Sequence, residues 1–413
     1  MSAKLINPTH TTSRLRRRYS AGFYLLTFAA GGAMAAQVDI TARYVPETNN
    51  PTFENTTYNS GFCDIQPGKC TAGSYTLSIP NQTQFMALVK NLNVDIRVPR
   101  AWRELDVTHA DGSSQKVRVR FTGLGATLNF SPDVLTITGY PNISNRPHEV
   151  IWGGSSFGTA PAGCSPGIGA YTATSYLFFW YFSSDNPCTK QSNYDVTPGI
   201  YFNYVNFMYE LETPNPLAMS AGLYRGQLTY TIGPAGELVL GNAIATDSVL
   251  TLNFALSVLH TFRVDMPSKI NLELAPPGGW DPQRVYNGAS QLPDKLLAEQ
   301  DYQQWTSTRF KMQLQCEYAV GDDCGLQNDE GNTNIAVTTS VTLPNGLQNS
   351  SNGPVDHYPL SNRVASAFQP TRYINNEHAT LHFEVDKAGV KQMVNSGSRH
   401  FHGDVTVIWD SQV

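Results

Sequence analysis

The feature that most constrains this chain is a series of short stretches in which apolar and polar residues alternate. Such alternation is typical of strands that bury one face and expose the other. Turn residues separate the stretches, as at Asp111-Gly112. Examples occur along the whole chain: SYTLSIP, QKVRVRFTG, GQLTYTIG, VLTLNFALSV, NIAVTTSVTLP and DVTVIWD. The sequence therefore predicts an all-β fold built from sandwiches or barrels.

Three short segments have a helical pattern instead: residues 83–93, 293–305 and 386–394. The segment 241–249, GNAIATDSV, is small, polar and free of alternation. Aromatic, glycine-rich sequence precedes it and a regular aliphatic alternation follows it. We expect a domain boundary near residue 246, which gives an N-terminal domain of residues 36–245 and a C-terminal domain of residues 246–413.

The first 35 residues have the composition of a secretory signal peptide. A basic cluster that includes Arg16–Arg18 precedes an apolar stretch, Phe23–Ala30, and the small-residue pattern Ala33-Met34-Ala35 follows. The apolar stretch is shorter than the roughly 20 residues of a membrane-spanning helix. An uncleaved anchor is the alternative. We expect an exported chain that begins near Ala36.

The six cysteines all follow this segment and form neighbouring couples: Cys63/Cys70, Cys164/Cys188 and Cys316/Cys324. Export favours disulfides, and the short spacings favour pairing within each couple. Zinc is the competing use, but no C-x2-C pair is present. We therefore expect three local disulfides and no metal or other cofactor.

The last residues, SRHFHGDVTVIWDSQV, form an alternating strand that runs nearly to the end of the sequence. One face of it carries Phe401, Gly403, Val405, Val407 and Trp409, and the other carries His400, His402, Asp404 and Thr406. The two histidines on one strand face suggest a metal site, with His378 and His382 as further candidates. A solvated strand face is the simpler interpretation.

The chain resembles the two-domain tip adhesins of the chaperone–usher pathway, and within them the alpha-class cable-pilus and colonisation-factor-pilus tip subunits. The resemblance is carried by AGLYRGQLTYTIG (221–233), by VLTLNFALSVLHTFRVDMPSKINLELAPPGG (249–279) and by FHGDVTVIWDSQV (401–413). The first resembles the closing strand of an adhesin domain, and the second the opening strands of a pilin domain. The third resembles the segment that engages the chaperone. The ending Asp410-Ser411-Gln412-Val413 departs from the penultimate tyrosine of many pilins.

The resemblance implies two β-sandwich domains, of which the C-terminal one is an incomplete immunoglobulin-like pilin domain. A donor strand would complete it, supplied first by a periplasmic chaperone at the outer-membrane usher and then by the adjacent pilin subunit. The edge of the groove would be Phe401, Gly403, Val405, Val407 and Trp409. No donor extension of the chain's own is recognised after Ala36, which implies a position at the tip of the fimbrium on the cell surface.

Two other function classes remain open, a secreted carbohydrate-active enzyme and a structural minor pilin that binds no receptor. No G-x-S-x-G nucleophile elbow is present, and WGGSSFG (152–158) lacks its spacing. The separation of carboxylates that a glycosidase needs cannot be obtained from sequence. The net charge of −5 argues against nucleic acid as a partner. We expect an adhesin without catalytic activity.

A glycan or glycoprotein receptor would need aromatic platforms and polar groups on the N-terminal domain. The aromatic run Leu177–Phe182 is better explained as a buried strand, whereas Trp152, next to Gly153-Gly154, is an exposed-platform candidate. Related pilus tips are thought to use a positively charged patch. The corresponding candidates here are Arg103, Lys116, Arg118 and Arg120, with Arg97 and Arg100 nearby. An ordinary solvated sheet face is the alternative.

Overall fold

The computed structural model describes residues 2–4, 36–47, 52–70, 72–79, 83–279, 292–398 and 400–411. Regular structure in these residues is dominated by strands, so the predicted all-β class is confirmed. The predicted signal peptide lies outside the described residues except for one short strand, β1 (Ser2–Lys4). In the part of the chain that is described, no helix has both the length and the apolar character needed to cross a bilayer.

The N-terminal half forms one large and one small sheet. Its strands are β2 (Ala36–Tyr44), β3 (Glu54–Asn55), β4 (Ser74–Ser78), β5 (Thr83–Leu88), β6 (Asn93–Arg97), β7 (Arg103–Thr108), β8 (Ser114–Ser131), β9 (Cys164–Tyr171), β10 (Ser175–Phe182), β11 (Cys188–Gln191), β12 (Val196–Glu212), β13 (Gly222–Thr231), β14 (Val239–Leu240), β15 (Ile244–Ala245) and β16 (Val249–Val258). The short helices are α1 (Phe62–Ile65), α2 (Val134–Thr138) and α3 (Asn145–Ile151), with 3-10 turns at Pro67–Lys69 and Pro216–Ala218.

The large sheet has the order β15-β5-β12-β8-β7-β13-β16-β2-β3, with β10 and β9 continuing from β8 and β4 paired to β12. The small sheet has the order β11-β6-β14. The long strands β8 and β12 pair with each other along most of their length. On its other side, β12 pairs first with β5 and then with β4. The largest fully buried side chains of the core are aromatic, for example Phe121, Phe178, Trp180 and Phe202, each with no more than 1% exposure.

The C-terminal half is a sandwich of two sheets around a second core. Its strands are β17 (Phe262–Asp265), β18 (Lys269–Asn271), β19 (Leu296–Thr306), β20 (Phe310–Cys316), β21 (Tyr318–Val320), β22 (Asp323–Asn328), β23 (Asn334–Thr342), β24 (Leu347–Asn349), β25 (Tyr358–Pro359), β26 (Ser366–Pro370), β27 (Ile374–Val385), β28 (Phe401–His402) and β29 (Val405–Ser411), with one helix, α4 (Lys387–Asn395). One sheet has the order β17-β19-β27-β23-β22-β21, with β25 and β28 at its side, and the other has the order β24-β26-β20-β29.

The two cores divide after Val258, not at residue 246 as the sequence suggested. Strand β16 pairs antiparallel with β13 and parallel with β2, inside the large sheet. Its inward side chains, including Leu252 and Leu256, are buried in the N-terminal core. The segment 249–258, which resembled the opening of the pilin domain, therefore closes the first domain. We propose the domain boundary at residues 259–261.

Of the three predicted helices, only the one at residues 386–394 is helical, as α4. The segment 83–93 begins with strand β5, and 293–305 falls largely in strand β19. In β5 the residues Gln84, Met86 and Leu88 point inward and their neighbours outward, so pairing with β12 selected the period-2 pattern.

The expected disulfide pairing is confirmed: Cys63–Cys70, Cys164–Cys188 and Cys316–Cys324. The first closes the loop around α1, the second joins β9 to β11, and the third joins β20 to β22. Each bond links neighbouring segments within one domain, so the bonds stabilise local loops and do not connect the two domains.

Candidate functional site

The last strand of the chain crosses from one sheet of the C-terminal sandwich to the other. Strand β28 pairs with β22 through Phe401 and His402, and β29 pairs with β20 from Val405 onward. The crossing occurs at Gly403, which is buried. A Cβ atom at Gly403 would collide with the carbonyl oxygen of Gly325. A glycine is therefore needed here because two backbones approach closely.

Beyond the crossing, the apolar side of β29 faces the core as the sequence predicts, but Thr406, expected on the solvated side, is buried at 8% exposure. Val405 and Val407 are 1% and 3% exposed and belong to the core. Trp409 packs against the same core, edge-to-face with Tyr302 at 5.6 Å between ring centroids. Ile408 points outward and is 39% exposed. This strand therefore forms one wall of the core and ends a sheet.

The two terminal histidines are on the solvated side, as the simpler interpretation proposed. His400 and His402 are both exposed, and His402 Nδ1 lies 3.5 Å from Asp329 Oδ1. Among the described residues no group of three or more His, Cys, Asp or Glu side chains is arranged to hold a metal ion.

The outer edge of β29 is open within the described C-terminal domain. Strand β20 is the neighbour to which β29 is hydrogen-bonded, and β29 is last in its sheet. Strand β18 pairs with Ser2–Lys4 and with no other described strand. The Cα atoms of Ser2–Lys4 also come within 8 Å of β29. An extended backbone can thus lie between β18 and β29, and here a segment of the predicted signal peptide does so.

An apolar groove of about 730 Å³ lies beside this opening. Its apolar lining comes from the segment after β18, from the residues before β19 and its first residue, and from β22, α4 and β28. It consists of Leu272, Leu274, Leu292, Pro293, Leu296, Leu326, Val390, Met393, Val394 and Phe401. Polar residues at its margin are Asn271, Glu273, Ser398 and His400. The sequence analysis did not identify the leucines as groove residues, although the alternation in INLELAP contains the signal.

The structure brings only part of the predicted basic cluster together: Lys116, Arg118 and Arg120 lie on one face of β8, whereas Arg103 pairs with Val119 and lies on the other side of the sheet. The charges on both sides are paired. Arg120 Nε donates to Glu210 Oε2 at 2.7 Å, and Arg118 Nη1 lies 3.2 Å from Glu212 Oε2. The two guanidinium groups also flank the ring of Trp102, at 4.5 and 5.1 Å from its centroid. This face is therefore a ladder of alternating charges with an aromatic centre.

The remaining basic residues of the cluster also have hydrogen-bond or ion-pair partners. Arg103 Nη1 donates to Glu237 Oε1 at 2.9 Å, and Lys116 Nζ lies 2.9 Å from Asp106 and 3.1 Å from Glu104. Arg97 donates to the carbonyl of Gly236 and Arg100 to that of Phe121. The acidic partners, which the sequence analysis did not connect with this cluster, cancel the positive potential that an anionic receptor would require.

Trp152 is not an exposed platform. It is 3% exposed at the end of α3, where it packs edge-to-face on Phe157 at 4.8 Å. The neighbouring Gly153 and Gly154 do lie at the surface, at the rim of a polar depression with Lys90 and Arg146. Gly153 and Gly154 form a surface turn, as expected, but the side chain of Trp152 points into the core.

The aromatic run in β10 is the buried strand that the sequence analysis favoured. Phe178, Phe179 and Trp180 are at most 1% exposed, and Trp180 Nε1 donates to the carbonyl of Phe157 at 3.0 Å.

One buried amine holds the loop between α3 and β9. Lys190 is 5% exposed and donates to Ser155 Oγ at 2.8 Å and to the carbonyl of Ser156 at 3.0 Å. Burial lowers the pKa of this amine to about 8, since the charged form loses its hydration. These hydrogen bonds hold in place the loop that begins at Gly153 and Gly154.

No family model and no curated protein matches the chain. Among solved structures, it is similar to CfaE, the adhesive subunit of the CFA/I fimbria of enterotoxigenic Escherichia coli. The identity is 7% over 91% of this chain and 98% of that one, with a TM-score of 0.22. It is also similar, at 10% identity, to a chain from a chaperone–tip adhesin complex of CFA/I fimbriae, over 91% of this chain and 96% of that one, with a TM-score of 0.25. The CsuC–CsuE chaperone–tip subunit complex of Acinetobacter baumannii gives 10% identity, 91% and 99% coverage and a TM-score of 0.20. TM-scores this low do not establish a shared fold, so the function of this chain is inferred from its own geometry.

Proposed function

We propose that this protein is an exported fimbrial tip adhesin whose C-terminal domain is completed by a strand from another protein. The N-terminal domain binds a glycan or glycoprotein receptor outside the cell. The C-terminal domain accepts a strand first from a periplasmic chaperone at the outer-membrane usher and then from the next pilin subunit. The proposal requires no catalysis by this chain.

The observation that carries the proposal is the opening between β18 and β29. An open strand edge beside an apolar groove is an aggregation hazard unless another strand covers it. A strand that enters there forms backbone hydrogen bonds and places alternate side chains in the groove. The segment Ser2–Lys4 supports this geometry, because its backbone already pairs with Lys269–Asn271 beside β29.

Removal of the predicted signal peptide would take this covering strand away. The mature chain would then present β18 unpaired and β29 open, beside the groove that Leu272, Leu274 and Met393 help to line. Burying apolar surface of this kind stabilises by about 25 cal/mol per Å². An incoming strand with apolar residues at alternate positions is therefore expected to bind tightly.

The experiment compares residues 36–413 with and without an added strand after residue 413. The added segment is a flexible glycine–serine linker followed by a strand of alternating apolar residues, and both proteins are directed to the periplasm. We expect the extended protein to be soluble and monomeric, with a higher melting temperature than the unextended one. The matched control replaces the apolar residues of the added strand by serine.

The proposal would be contradicted by an unextended chain that is soluble and monomeric and whose melting temperature does not change with the added strand. An equal effect of the serine control would also contradict it, because the groove would then not be selecting apolar side chains.

A further inference from the structure

A second surface of the N-terminal domain has the composition of a binding face, on the outer side of strands β5, β12, β8 and β10. Phe85 pairs directly with Tyr201, Tyr201 with Asn129, and Asn129 with Ser175. Directly paired residues of antiparallel strands point to the same side. These four side chains therefore form one row across the sheet, and Ile244 of β15 extends it beyond Phe85.

A second row runs parallel to the first, two residues further along each strand. Thr83 pairs with Asn203, Asn203 with Thr127, and Thr127 with Leu177. Because side chains two residues apart on a strand share a face, both rows belong to one surface. We call it the polar–aromatic face.

The polar–aromatic face is open to solvent. Phe85 is 44% and Ile244 74% exposed, and the other members of the two rows are exposed or half-buried. The residues between them on the same strands, such as Met86, Phe202 and Leu128, point the other way and are buried in the core.

The chain itself covers the continuation of this face. Phe179, the next outward residue after Leu177 on β10, is 1% exposed because Phe62 stacks on it at 4.1 Å. The disulfide Cys63–Cys70 holds the loop that carries Phe62. The loop thus covers the apolar outward side chain of Phe179. The two rows, which mix aromatic and amide groups, remain open to solvent beside this loop.

The amide groups of this face are oriented by each other. Asn129 Nδ2 donates to Asn203 Oδ1 at 2.9 Å and to the carbonyl of Thr127 at 3.0 Å. Among the described residues no partner is recorded for Asn203 Nδ2 or for Asn129 Oδ1. The hydrogen-bonded amides thus leave a donor on Asn203 and an acceptor on Asn129 for a ligand, and Asn129 pairs directly with Tyr201.

The polar–aromatic face and the face that carries Arg118 and Arg120 differ in charge, so they suit different classes of ligand. None of the eight positions in the two rows carries a charged side chain, whereas the arginine face is a ladder of paired charges. An uncharged surface with an aromatic ring and paired hydrogen-bonding groups is complementary to a neutral ligand with both an apolar face and hydroxyl groups. A sugar ring has this chemistry, since its C–H face packs on an aromatic ring while its hydroxyls donate and accept.

We propose that the polar–aromatic face binds a neutral oligosaccharide, with Phe85 and Tyr201 as the platform and Asn129 and Asn203 as the hydrogen-bonding pair. This inference rests on the proposed function, because it assigns the receptor class and the surface of the same adhesin. It places the receptor on this sheet face and away from the arginines.

The test uses residues 36–413 in whichever form, with or without the added strand, is monomeric. The probe is an array of neutral oligosaccharides that end in galactose, glucose, N-acetylglucosamine or mannose, together with sialylated counterparts. We expect the protein to bind neutral members, and Tyr201→Ala and Asn203→Ala each to weaken binding by about tenfold or more. Phe85→Ser, which changes a side chain that is 44% exposed, serves as a second platform variant in case Tyr201→Ala fails to fold.

Two controls separate this face from other surfaces. Tyr58→Ala removes a tyrosine that is 79% exposed outside the two rows, and Arg118→Ala removes a member of the arginine face. Both are expected to bind as the parent protein does. The inference is overturned if folded platform variants bind neutral glycans unchanged, if Arg118→Ala alone abolishes binding, or if the parent binds no neutral glycan. In the last case the strand-addition result still decides the proposed function separately.

Discussion

Gly403 shows how a single residue lets the terminal strand change sheets. Its backbone does not adopt the left-handed conformation that favours glycine; the constraint is the carbonyl oxygen of Gly325, which occupies the space of a Cβ atom. A methyl group there would push β28 away from β22. The residue is thus required by contact between two backbones at the start of the open edge.

Gly403→Ala should destabilise the C-terminal domain by about 1–3 kcal/mol, the usual cost of overpacking. Urea unfolding of the strand-completed protein, followed by tryptophan fluorescence, measures the change. Gly353→Ala is the matched control, because the nearest atom to a Cβ there is a side-chain nitrogen of Asn349 at 3.3 Å and not a backbone oxygen. Equal stability of Gly403→Ala and the parent would show that the two backbones can separate freely.

Lys190 gives the N-terminal domain a measurable pH dependence. Its pKa in the folded protein, about 8, is below the ordinary value of 10.5, so the unfolded chain binds more protons between these two values. The free energy of unfolding therefore increases as pH rises from about 8 to 10.5, and it decreases again as pH falls towards 8.

Relative to Lys190→Met, the parent protein should become more stable by on the order of 2 kcal/mol between pH 7 and pH 10. Denaturant unfolding at several pH values gives this difference, and tyrosines that titrate in the same range cancel because both proteins contain them. A difference that does not change with pH would show that the amine is hydrated in the folded state.

At this scale the sequence identifies residue types better than their partners. The alternation of Val405, Val407 and Trp409 is a local property and could be predicted. The charges of Arg118 and Arg120 are evident in the sequence, but their partners Glu210 and Glu212 lie on a strand about ninety residues away. Only the register between β8 and β12 brings them together. Pairing between distant strands is also what made the polar–aromatic face undetectable.

Strands are the elements that the sequence predicts well, and its errors have a physical cause. TQFMALVKNLN fits both a helix and a strand, because Phe85 and Leu88 are three residues apart while Met86 and Leu88 are two apart. Local pattern cannot decide between them. The long strand β12 provides an edge on which residues 83–88 form backbone hydrogen bonds, and that decides the structure.

The loop closed by Cys63–Cys70 is an element whose contribution can be isolated. Its role is to hold Phe62 over Phe179, and a loop this short restricts the unfolded chain modestly. The double variant Cys63→Ser, Cys70→Ser should lose about 2 kcal/mol and expose the stacked ring pair. Thermal unfolding and binding of a hydrophobic dye would measure both effects. Cys316→Ser, Cys324→Ser is the comparison, and it should leave the N-terminal transition unchanged.

At the scale of the whole molecule, the two domains are joined by a short linker that is bonded to both. The amide of Leu259 donates to the carbonyl of Tyr44 in the first domain, and the amide of Ser307 in the second donates to the carbonyl of Thr261. The sequence indicated two domains but placed the boundary before β16. An alternating aliphatic strand has the same pattern in either domain, and only its pairing with β13 and β2 assigns it.

His260 lies in this linker and bonds to both domains. Its Nε2 donates to the carbonyl of Met219 at 2.8 Å, and its Nδ1 accepts from Ser307 Oγ at 3.1 Å. Burial is the main cause that lowers the pKa of His260 below its usual 6.5. The neutral ring is thus the form that the folded protein stabilises. Protonation of Nδ1 removes its ability to accept, so the contact between the domains depends on the neutral state.

Acidification should therefore weaken the parent protein more than a variant without this imidazole. Because the folded pKa of His260 is below the unfolded value, its contribution is complete above about pH 6.5 and is lost as pH falls from there to the folded pKa. Calorimetry of the strand-completed protein between pH 7 and pH 5 should show a steeper loss than His260→Gln. The buried His148, with its own lowered pKa, is common to both proteins and cancels. Ser307→Ala should lose stability at pH 7 already. Parallel pH profiles of the parent and His260→Gln would contradict a pH-dependent linker.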